Sequence, residues 1–593
     1  MTPRSTTPST LCEAFQTTAA AYPDRVALRT PDDSVRYTWR EYAQRVQRLA
    51  AGLAGLGVQR GDTVGLMLTN RPEFHLLDTA AMHLGAAPFS IYNSLTAEQI
   101  SYVLGNADNR VMICEEQFVP VLRQAIGDTK VEHLICIDAH PEGTLSLDDL
   151  EAAAEPSFDF EATWKAVQPS DLLTLIYTSG TTGPPKGVEL THANLITEIE
   201  STSVYLPTGP DDKILSYLPD AHIANRWGSH YCSLYTGLQI TTLDDLKQAI
   251  TVLPSLRPTL FGAVPQVWYK LKAAIDRTLA EEPSAVKKKL ALWAIDVGRK
   301  RARLQSDGKP IPRGLAVQHA IADRLVLSSI RAKLGLDNVR AAVTGAAAIS
   351  PEVLEFVLGL GIPCSEVWGM SETSCVITMN PPDAIRIGTV GKAVSAAKIK
   401  VADDGELLVS GPLIMKGYRN DPEKTADAID ADGWLHTGDI GEIDADGYVR
   451  LIDRKKELIV NAAGKNMSPA NIEGALRAAC PMLGGAVAIG NDRPYNVALL
   501  ALDPDALAVF ADQHGLSGTH EELAQHPVVL EAIAKSVEEA NSKLSRVEQI
   551  KKYKVLTTIW EPSGDELTPT MKLKRKPIDA KYAEEIDALY ASS

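Results

Sequence analysis

Apolar and polar positions alternate along about the first 170 residues with two different periods. Residues 11–22 repeat apolar side chains at helical spacing and predict a helix. Residues 62–67 form a short apolar run typical of a buried strand, and residues 71–84 predict the helix that follows it. Alternating strands and helices predict an α/β fold with layered, largely parallel sheets.

The later part of the chain follows different patterns. Residues 386–452 alternate with period two around Asp-Gly turns, which predicts an antiparallel β subdomain. Residues 458–593 predict a small α+β domain with strands at 485–490, 497–502 and 554–560. A helical stretch after residue 271 places four apolar side chains on one face: Val286, Leu290, Trp293 and Val297.

The length and one charge cluster together predict two domains. A chain of 593 residues exceeds what a single hydrophobic core holds. The run Asp453-Arg-Lys-Lys-Glu457 is too densely charged to be buried, so we place the boundary there. The sequence therefore predicts a large domain at 1–452, a hinge at 453–457 and a C-terminal domain at 458–593.

Composition narrows the class of protein. The formal net charge of -16 argues against nucleic acid as the main partner. Seven scattered cysteines without a C-x-x-C pair predict free thiols in a reducing compartment. The N-terminal residues are polar and no apolar run reaches about 20 residues, so we expect neither a signal peptide nor a membrane span.

One segment departs from the overall acidity. Residues 270–333 carry 15 Lys/Arg against 6 Asp/Glu, a local balance of +9. Such a segment could rest on an anionic membrane surface or meet the phosphates of a ligand such as CoA. A solvated helix face is the alternative interpretation.

The stretch Tyr177-Thr-Ser-Gly-Thr-Thr-Gly-Pro-Pro-Lys-Gly187 follows an apolar run and suits a polyphosphate ligand. Gly180 and Gly183 let the backbone turn with positive φ and approach an anion. Lys186 adds a positive charge. Hydroxyl donors come from four residues, Thr178, Ser179, Thr181 and Thr182. The spacing differs from that of the Walker A loop.

This string resembles the signature of the adenylate-forming superfamily, which comprises acyl- and aryl-CoA synthetases, luciferases and adenylation domains. Residues 261–271 resemble a segment typical of its long-chain fatty acyl-CoA synthetase branch. Further matches run from about residue 12 to residue 580. The resemblance implies a large α/β domain and a small mobile lid domain that carries a catalytic lysine.

The motif Glu366-Val-Trp-Gly-Met-Ser-Glu-Thr373 resembles the second signature of the superfamily. The resemblance implies that Glu366 lies in the nucleotide site, that Trp368 stacks on adenine and that Ser371 contacts the α-phosphate. Glu372 would hold Mg²⁺ with Thr181. Trp368 and Ser371 replace the more usual Tyr and Thr. Before this motif, the small residues Gly345 and Ala346 at a strand end would let adenine approach the backbone, and simple close packing is the other interpretation.

The remaining site residues also follow from the resemblance. Asp439 and Arg454 would bind the ribose, and Lys456 would be the hinge residue. Lys572 matches the catalytic lysine and Lys574 is the alternative, although Met571 stands where the superfamily usually has Gly. His222 matches a position in the carboxylate-substrate pocket, and a structural histidine is the other interpretation.

The sequence leaves three alternative functions open. The first is a long-chain fatty acid–CoA ligase that uses ATP, Mg²⁺ and CoA and forms an acyl-adenylate. The second is an enzyme that passes the acyl-adenylate to an acyl carrier protein. The third is a non-catalytic lipid- or nucleotide-binding protein. We expect a cytoplasmic protein, with residues 270–333 as a peripheral contact to the inner face of the membrane.

Overall fold

The computed structural model describes residues 7–178, 184–461, 465–561, 564–568 and 571–591. Within them, a nine-stranded mixed sheet forms the centre of the large domain. Its six inner strands are parallel, and short antiparallel strands flank them. In spatial order the strands are Lys392–Ala393, Thr378–Met379, Cys364–Trp368, Ala341–Thr344, Leu260–Ala263, Lys213–Ser216, Gln239–Thr242, Val26–Arg29 and Arg36–Thr38.

Three smaller sheets complete this part of the chain. A parallel sheet contains Ala87–Ser90, Thr63–Met67, Val111–Cys114 and His133–Cys136. An antiparallel sheet contains Gly417–Tyr418, Lys186–Thr191 and Leu172–Thr178. The antiparallel β subdomain contains Lys398–Val401, Glu406–Ser410, Leu435–Ile443 and Val449–Arg454. The predicted α/β class with an antiparallel β subdomain is confirmed.

Helices connect most successive parallel strands, because parallel strands need crossover connections. They start where the sequence supplies caps: Thr38 and Glu41 form a reciprocal capping box at the helix Trp39–Gly55. The described helices of seven or more residues before residue 430 are Leu11–Ala21, Trp39–Gly55, Pro72–His83, Ala97–Ala107, Val119–Ala125, His192–Ser203, Ala249–Leu256, Pro265–Glu281, Ala285–Ser306, Arg313–Ala322, Ser328–Leu334, Pro351–Gly359 and Pro422–Ala428.

The C-terminal part has its own sheet and its own apolar cores. The strands Leu483–Ile489, Asn496–Leu502 and Ile550–Leu556 form one sheet, and Ile459–Val460 pairs with Asn466–Met467. Its helices are Pro469–Ala479, Pro504–Gln513, His520–Ala524, Pro527–Lys543, Arg575–Lys581 and Ala583–Ala591. Its two apolar clusters draw their described residues from 459–590 alone. The exact boundary at 453–457 stays a prediction.

The third C-terminal strand differs from the sequence-based expectation. It spans Ile550–Leu556 and not 554–560, with Asn496 paired to Ile550. The chain leaves the sheet after Leu556, and Trp560 packs against Gly485 and Tyr582. The apolar and β-branched residues after Leu556 are typical of a strand, so the sequence predicted that the strand continues to residue 560. In the structure they pack against neighbouring side chains and do not pair with another strand.

The predicted apolar face of the helix Ala285–Ser306 is buried only in its second half. Val297 is buried, but Val286 is 77% exposed and Leu290 is 38% exposed. The second half of this helix packs against Pro351–Gly359 so closely that a Cβ on Gly298 would lie 2.0 Å from the Gly359 carbonyl oxygen. Burial therefore follows the position of the neighbouring helix and not the apolar spacing alone.

Candidate functional site

The predicted phosphate loop joins two paired strands. Thr178 ends the strand Leu172–Thr178 and lies directly opposite Lys186, which begins Lys186–Thr191. The hairpin therefore holds both ends of the loop close together. Five predicted loop residues lie outside the described part of the chain: Ser179, Gly180, Thr181, Thr182 and Gly183.

A tyrosine connects the loop lysine to the predicted metal ligand. The ammonium of Lys186 lies 4.5 Å from the centroid of the Tyr418 ring, which is the range of a cation–π contact. The Tyr418 hydroxyl donates a hydrogen bond to Glu372 Oε1 at 2.9 Å. Glu372 is buried in the short turn Ser371–Thr373, directly after Ser371, which is buried too. The structure thus brings Lys186, Ser371 and Glu372 into one region.

Sequence reasoning missed Tyr418. It lies on the two-residue strand Gly417–Tyr418, which pairs with Lys186–Thr191 through Tyr418 and Val188. A strand this short has no periodic signal, and its partner precedes it by about 230 residues. Only the tertiary pairing places its hydroxyl beside Glu372.

Each carboxylate oxygen of Asp439 contacts an N–H donor from another residue. The Trp368 indole N–H donates to Oδ2 at 2.7 Å, and Arg454 Nε lies 2.7 Å from Oδ1. Burial raises the pKa of Asp439, and the positive Arg454 opposes that rise. Asp439 and Arg454 are cross-strand partners of the β subdomain, so the sheet itself sets their contact. The three predicted nucleotide residues therefore form one bonded group.

Gly345 and Ala346 follow the strand Ala341–Thr344 at its carboxyl end, beside Cys364–Trp368. A Cβ on Gly345 would lie 2.8 Å from Val367 Cγ2, so any other residue there would force Val367 to move. Ala346 adopts φ of 68° and its side chain is exposed. Ligands of parallel sheets bind at this edge. Glu366 on the next strand is buried, and burial raises the pKa of its carboxyl to about 8.

His222 is neutral and oriented at physiological pH. Its Nδ1 accepts a hydrogen bond from the Ala224 backbone N–H at 3.1 Å, so the ring proton is carried by Nε2. Burial and the positive charge of Lys572 together lower the pKa of His222 to about 4. The structure therefore places His222, which precedes Lys572 by 350 residues, within electrostatic range of it.

Lys572 stands where the two parts of the chain meet. The residue is exposed to solvent. The protein atoms around its ammonium nevertheless displace water from the charge, and this desolvation lowers the pKa of Lys572. The positive Arg454 lowers this pKa further, while the negative Asp439 and Glu372 oppose the shift. The predicted lysine thus shares one electrostatic neighbourhood with the predicted ribose, metal and carboxylate residues.

The backbone before this lysine adopts a conformation that explains why glycine is usual at this position. Met571 adopts φ of 63°, in the left-handed region that glycine favours. The turn is held by paired bonds between Thr568 and Lys572, including Thr568 N–H to the Lys572 carbonyl at 2.8 Å. Lys574 Nζ donates instead to the Gly564 carbonyl at 2.9 Å, within its own domain. Its side chain is therefore engaged away from the site.

Behind His222 lies a buried polar network that the sequence did not predict. Arg226 is fully buried and donates to Asp78 Oδ2 at 2.5 Å, to the Tyr231 hydroxyl at 2.9 Å and to Ser90 Oγ at 2.9 Å. Its Nε donates to the Asp220 carbonyl at 2.9 Å. The network therefore holds the segment that carries His222 against two distant parts of the fold.

The predicted hinge residue Lys456 is exposed in the turn between Val449–Arg454 and Ile459–Val460.

Within the described ranges, no group of three or more His, Cys, Asp or Glu side chains could hold a metal ion. Glu372 as a single carboxylate fits Mg²⁺, which proteins commonly bind through one or two carboxylates together with substrate phosphates. No described helix is long and apolar enough to cross a membrane.

Comparison with known families gives matches over most of the chain. The model of a family described as AMP-binding enzyme matches residues 15–419. A second model, described as AMP-binding enzyme C-terminal domain, matches residues 456–593. The two matches leave residues 420–455 between them.

Two curated relatives are similar at the sequence level. The fadD11 protein of Mycobacterium tuberculosis is 54% identical over 451 residues, covering 76% of this chain and 79% of the relative. The long-chain-fatty-acid–CoA ligase FadD15 of the same organism is 34% identical over 579 residues, covering 96% and 95%.

Solved structures share the fold at lower identity. The crystal structure of the anthranilate CoA ligase AuaEII with anthranoyl-AMP has a TM-score of 0.74 at 20% identity, covering 98% of each chain. The O-succinylbenzoate Coenzyme A synthetase MenE of Bacillus subtilis, with ATP and magnesium, has a TM-score of 0.67 at 22% identity, covering 95% of this chain and 98% of that one.

Proposed function

Because the chain belongs to the family of AMP-binding enzymes, we propose that it is an ATP-dependent long-chain fatty acid–CoA ligase. It converts a fatty acid, ATP and CoA into acyl-CoA, AMP and pyrophosphate through an acyl-adenylate. The similarity to FadD15 over nearly the whole length of both chains supports this reaction and this substrate class.

One observation carries the proposal at the level of residues. Lys572 lies in electrostatic range of His222, Asp439 and Glu372, although the chain separates it from each of them by more than 130 residues. A cation at this place meets both negative reactants, the fatty acid carboxylate and the α-phosphate of ATP. It would hold them together and stabilise charge that develops during their reaction.

In the first step, a carboxylate oxygen attacks the α-phosphorus and the bond to the β-phosphate oxygen breaks, so pyrophosphate leaves. We assign Lys572 to the reacting carboxylate and phosphate, and Lys186 with the loop residues 179–183 to the β- and γ-phosphates. Mg²⁺ held at Glu372, with Thr181, would neutralise phosphate charge. Neutral His222 accommodates the fatty acid head group without adding a competing cation.

We assign the nucleoside contacts to a second group of residues. Asp439 and Arg454 face the ribose hydroxyls, and the indole bond to Asp439 fixes the ring of Trp368 at the adenine side. Gly345 and Ala346 leave the strand edge open to the base. Ser371, beside Glu372, reaches the α-phosphate.

In the second step, the thiol of CoA attacks the acyl carbonyl, loses its proton, and AMP leaves. Lys572 occupies the space beside the reacting carbonyl, so the lid domain must withdraw it before the thiol enters. We propose that the turn around Lys456 absorbs this motion.

The two alternative functions are distinguishable. A protein that loads an acyl carrier protein would form acyl-adenylate without using CoA. A non-catalytic protein would release no AMP at all. The proximity of Lys186 to Glu372 through Tyr418, the ion pair of Asp439 with Arg454, and the electrostatic coupling of Lys572 to Asp439 and Glu372 favour catalysis. The similarity to FadD15, a long-chain-fatty-acid–CoA ligase, favours CoA as the acceptor.

The test measures AMP release from ATP, Mg²⁺ and fatty acids of 8 to 20 carbons, with and without CoA. We expect AMP release that depends on CoA and peaks with a long chain. Lys572→Ala should reduce adenylation by roughly a hundredfold or more, as removal of a charge-stabilising donor does. It should still convert supplied acyl-adenylate and CoA to the thioester.

Lys574→Ala is the matched control, because Lys574 lies two residues away and donates within its own domain. It should keep both half-reactions near the parent rate. Equal loss of both half-reactions in Lys572→Ala, or equal loss of adenylation in the control, would contradict the assignment.

The cellular place follows as a separate proposal. All seven cysteines lie in the described part of the chain and are free thiols, which suits a reducing compartment such as the cytoplasm. The positive balance of residues 270–333 supports a peripheral contact with the inner face of a membrane.

A further inference from the structure

Large apolar side chains are exposed on two adjacent helical segments of the large domain. The helix Arg313–Ala322 continues through a π turn, Asp323–Leu327, into Ser328–Leu334. Along it, Val317, Ile321 and Leu325 are 61%, 48% and 58% exposed. We call these three residues the apolar stripe. The neighbouring helix Ala285–Ser306 adds three exposed apolar side chains, Val286, Leu290 and Leu292.

The apolar stripe differs from the single exposed apolar residues that are common on protein surfaces. Single exposed apolar residues are common and need no explanation. The stripe repeats every four residues, so its members lie on one side of the helix. The same helical unit buries Ala322 and Leu327 on its other side. It therefore has two apolar sides, one packed in the core and one without a partner among the described residues.

The two helical segments that expose these apolar side chains also carry an excess of positive charge. Residues 285–333 contain 12 Lys/Arg and 3 Asp/Glu, a balance of +9 in a chain with a net charge of -16. Some of these cations pair internally, as Arg299 and Arg303 do with Glu355. Seven make no ion pair with any described residue: Lys287, Lys288, Lys289, Arg301, Arg313, Arg324 and Lys333. This surface is both apolar and cationic.

The combination of exposed apolar side chains and unpaired cations favours one kind of partner over two others. A second copy of the chain would bring a like-charged surface into a symmetric contact, which is repulsive. CoA phosphates would pair with the cations but leave the stripe exposed. A bilayer containing anionic lipid satisfies both features, because Lys and Arg meet the head groups while aliphatic side chains enter the acyl boundary.

We propose that the stripe and its surrounding cations form a docking surface for anionic lipid bilayers. The stripe inserts below the head groups, and the unpaired cations bind the phosphates. The biological use of this surface depends on the proposed function, since a long-chain fatty acid is itself dissolved in the bilayer. Binding to the bilayer does not require that the protein be catalytically active.

The test uses the full chain and sedimentation with large vesicles. One set is phosphatidylcholine alone, and the other contains 30 mol% phosphatidylglycerol. We expect strong, salt-sensitive binding to the anionic vesicles and weak binding to the neutral ones. The variant Val317→Gln/Ile321→Gln/Leu325→Gln should bind anionic vesicles roughly tenfold more weakly or worse. Lys287→Gln/Lys288→Gln/Lys289→Gln should also weaken binding by roughly tenfold or more.

A control variant changes three exposed apolar residues elsewhere: Val204→Gln/Leu246→Gln/Val528→Gln. It should bind like the parent. Three results would each overturn the proposal: parent-like vesicle binding by the stripe variant, no preference of the parent for anionic vesicles, or dimerisation of the parent that the stripe variant abolishes. Light scattering measures the last of these.

An activity assay separates this proposal from the proposed function. The stripe variant should adenylate octanoate in vesicle-free solution at the parent rate, since its residues lie outside the candidate site. If the parent binds anionic vesicles but adenylates no fatty acid, the docking surface stands and the proposed function fails. If it adenylates but does not bind vesicles, the reverse holds.

Discussion

Removing the Arg226 side chain should destabilise the protein far more than removing an exposed arginine. Arg226→Met keeps a comparable apolar volume but removes the cation that faces Asp78. Burial acts to raise the pKa of Asp78, and the adjacent Arg226 outweighs it and keeps the pKa below its usual value. The variant leaves this carboxylate in the core without its cation.

The magnitude follows from burial. Both side chains of the pair are 0% exposed, and breaking such a pair from one side costs about 3–5 kcal/mol. The lost bonds to Tyr231 and Ser90 belong to the same cost and are not added to it. The exposed pair Arg40–Asp24, with side chains 55% and 85% accessible, is the comparison. Arg40→Met should change stability by about 1 kcal/mol or less.

The assay is urea unfolding followed by tryptophan fluorescence, arranged as a double-mutant cycle. The second single variant is Asp78→Asn, which removes the negative charge and keeps a hydrogen-bonding group. Because the double variant has no uncompensated charge, it should be more stable than the sum of the single losses by roughly 1–3 kcal/mol. The reasoning is refuted if Arg226→Met costs no more than Arg40→Met, or if the two changes add without coupling.

Two other predictions concern the site. Tyr418→Phe keeps the ring beside Lys186 but removes the hydroxyl bond to Glu372. The Mg²⁺ concentration for half-maximal AMP release should therefore rise roughly tenfold. An unchanged dependence of AMP release on Mg²⁺ would contradict this prediction. Glu366 has its pKa raised from 4.5 to about 8, so it stabilises the fold fully below pH 4.5 and loses that contribution as pH rises through 8. Glu366→Gln should therefore gain thermal stability relative to the parent between pH 5 and 8.5 in melting scans, whereas parallel pH profiles would argue against a buried neutral acid.

Local patterns were sufficient to predict much of the architecture. Strand and helix periods depend on neighbouring residues, so the strand Thr63–Met67 and the helix Pro72–His83 lie within two residues of their predicted bounds. Asp-Gly turns likewise marked the hairpin between Lys398–Val401 and Glu406–Ser410. These features need no knowledge of distant contacts.

Features that depend on distant contacts could not be predicted in this way. Arg226 and Asp78 are 148 residues apart, and neither belongs to a recognisable motif. The position of Tyr418 depends on a pairing with a strand far earlier in the chain. The apolar spacing of Ala285–Ser306 was correct, but it could not reveal which half of the helix meets another helix.

The close contact between Gly298 and Gly359 has a mechanical consequence. Two helices whose backbones touch cannot slide or tilt without a steric collision, so Ala285–Ser306 and the chain that continues from Pro351–Gly359 into Cys364–Trp368 should move together as one rigid unit. If the proposed docking surface binds a bilayer, this rigid unit would orient the proposed adenine side of the cleft relative to the lipid plane. A methyl group added at Gly298 would push the two helices apart and uncouple that orientation from the membrane contact.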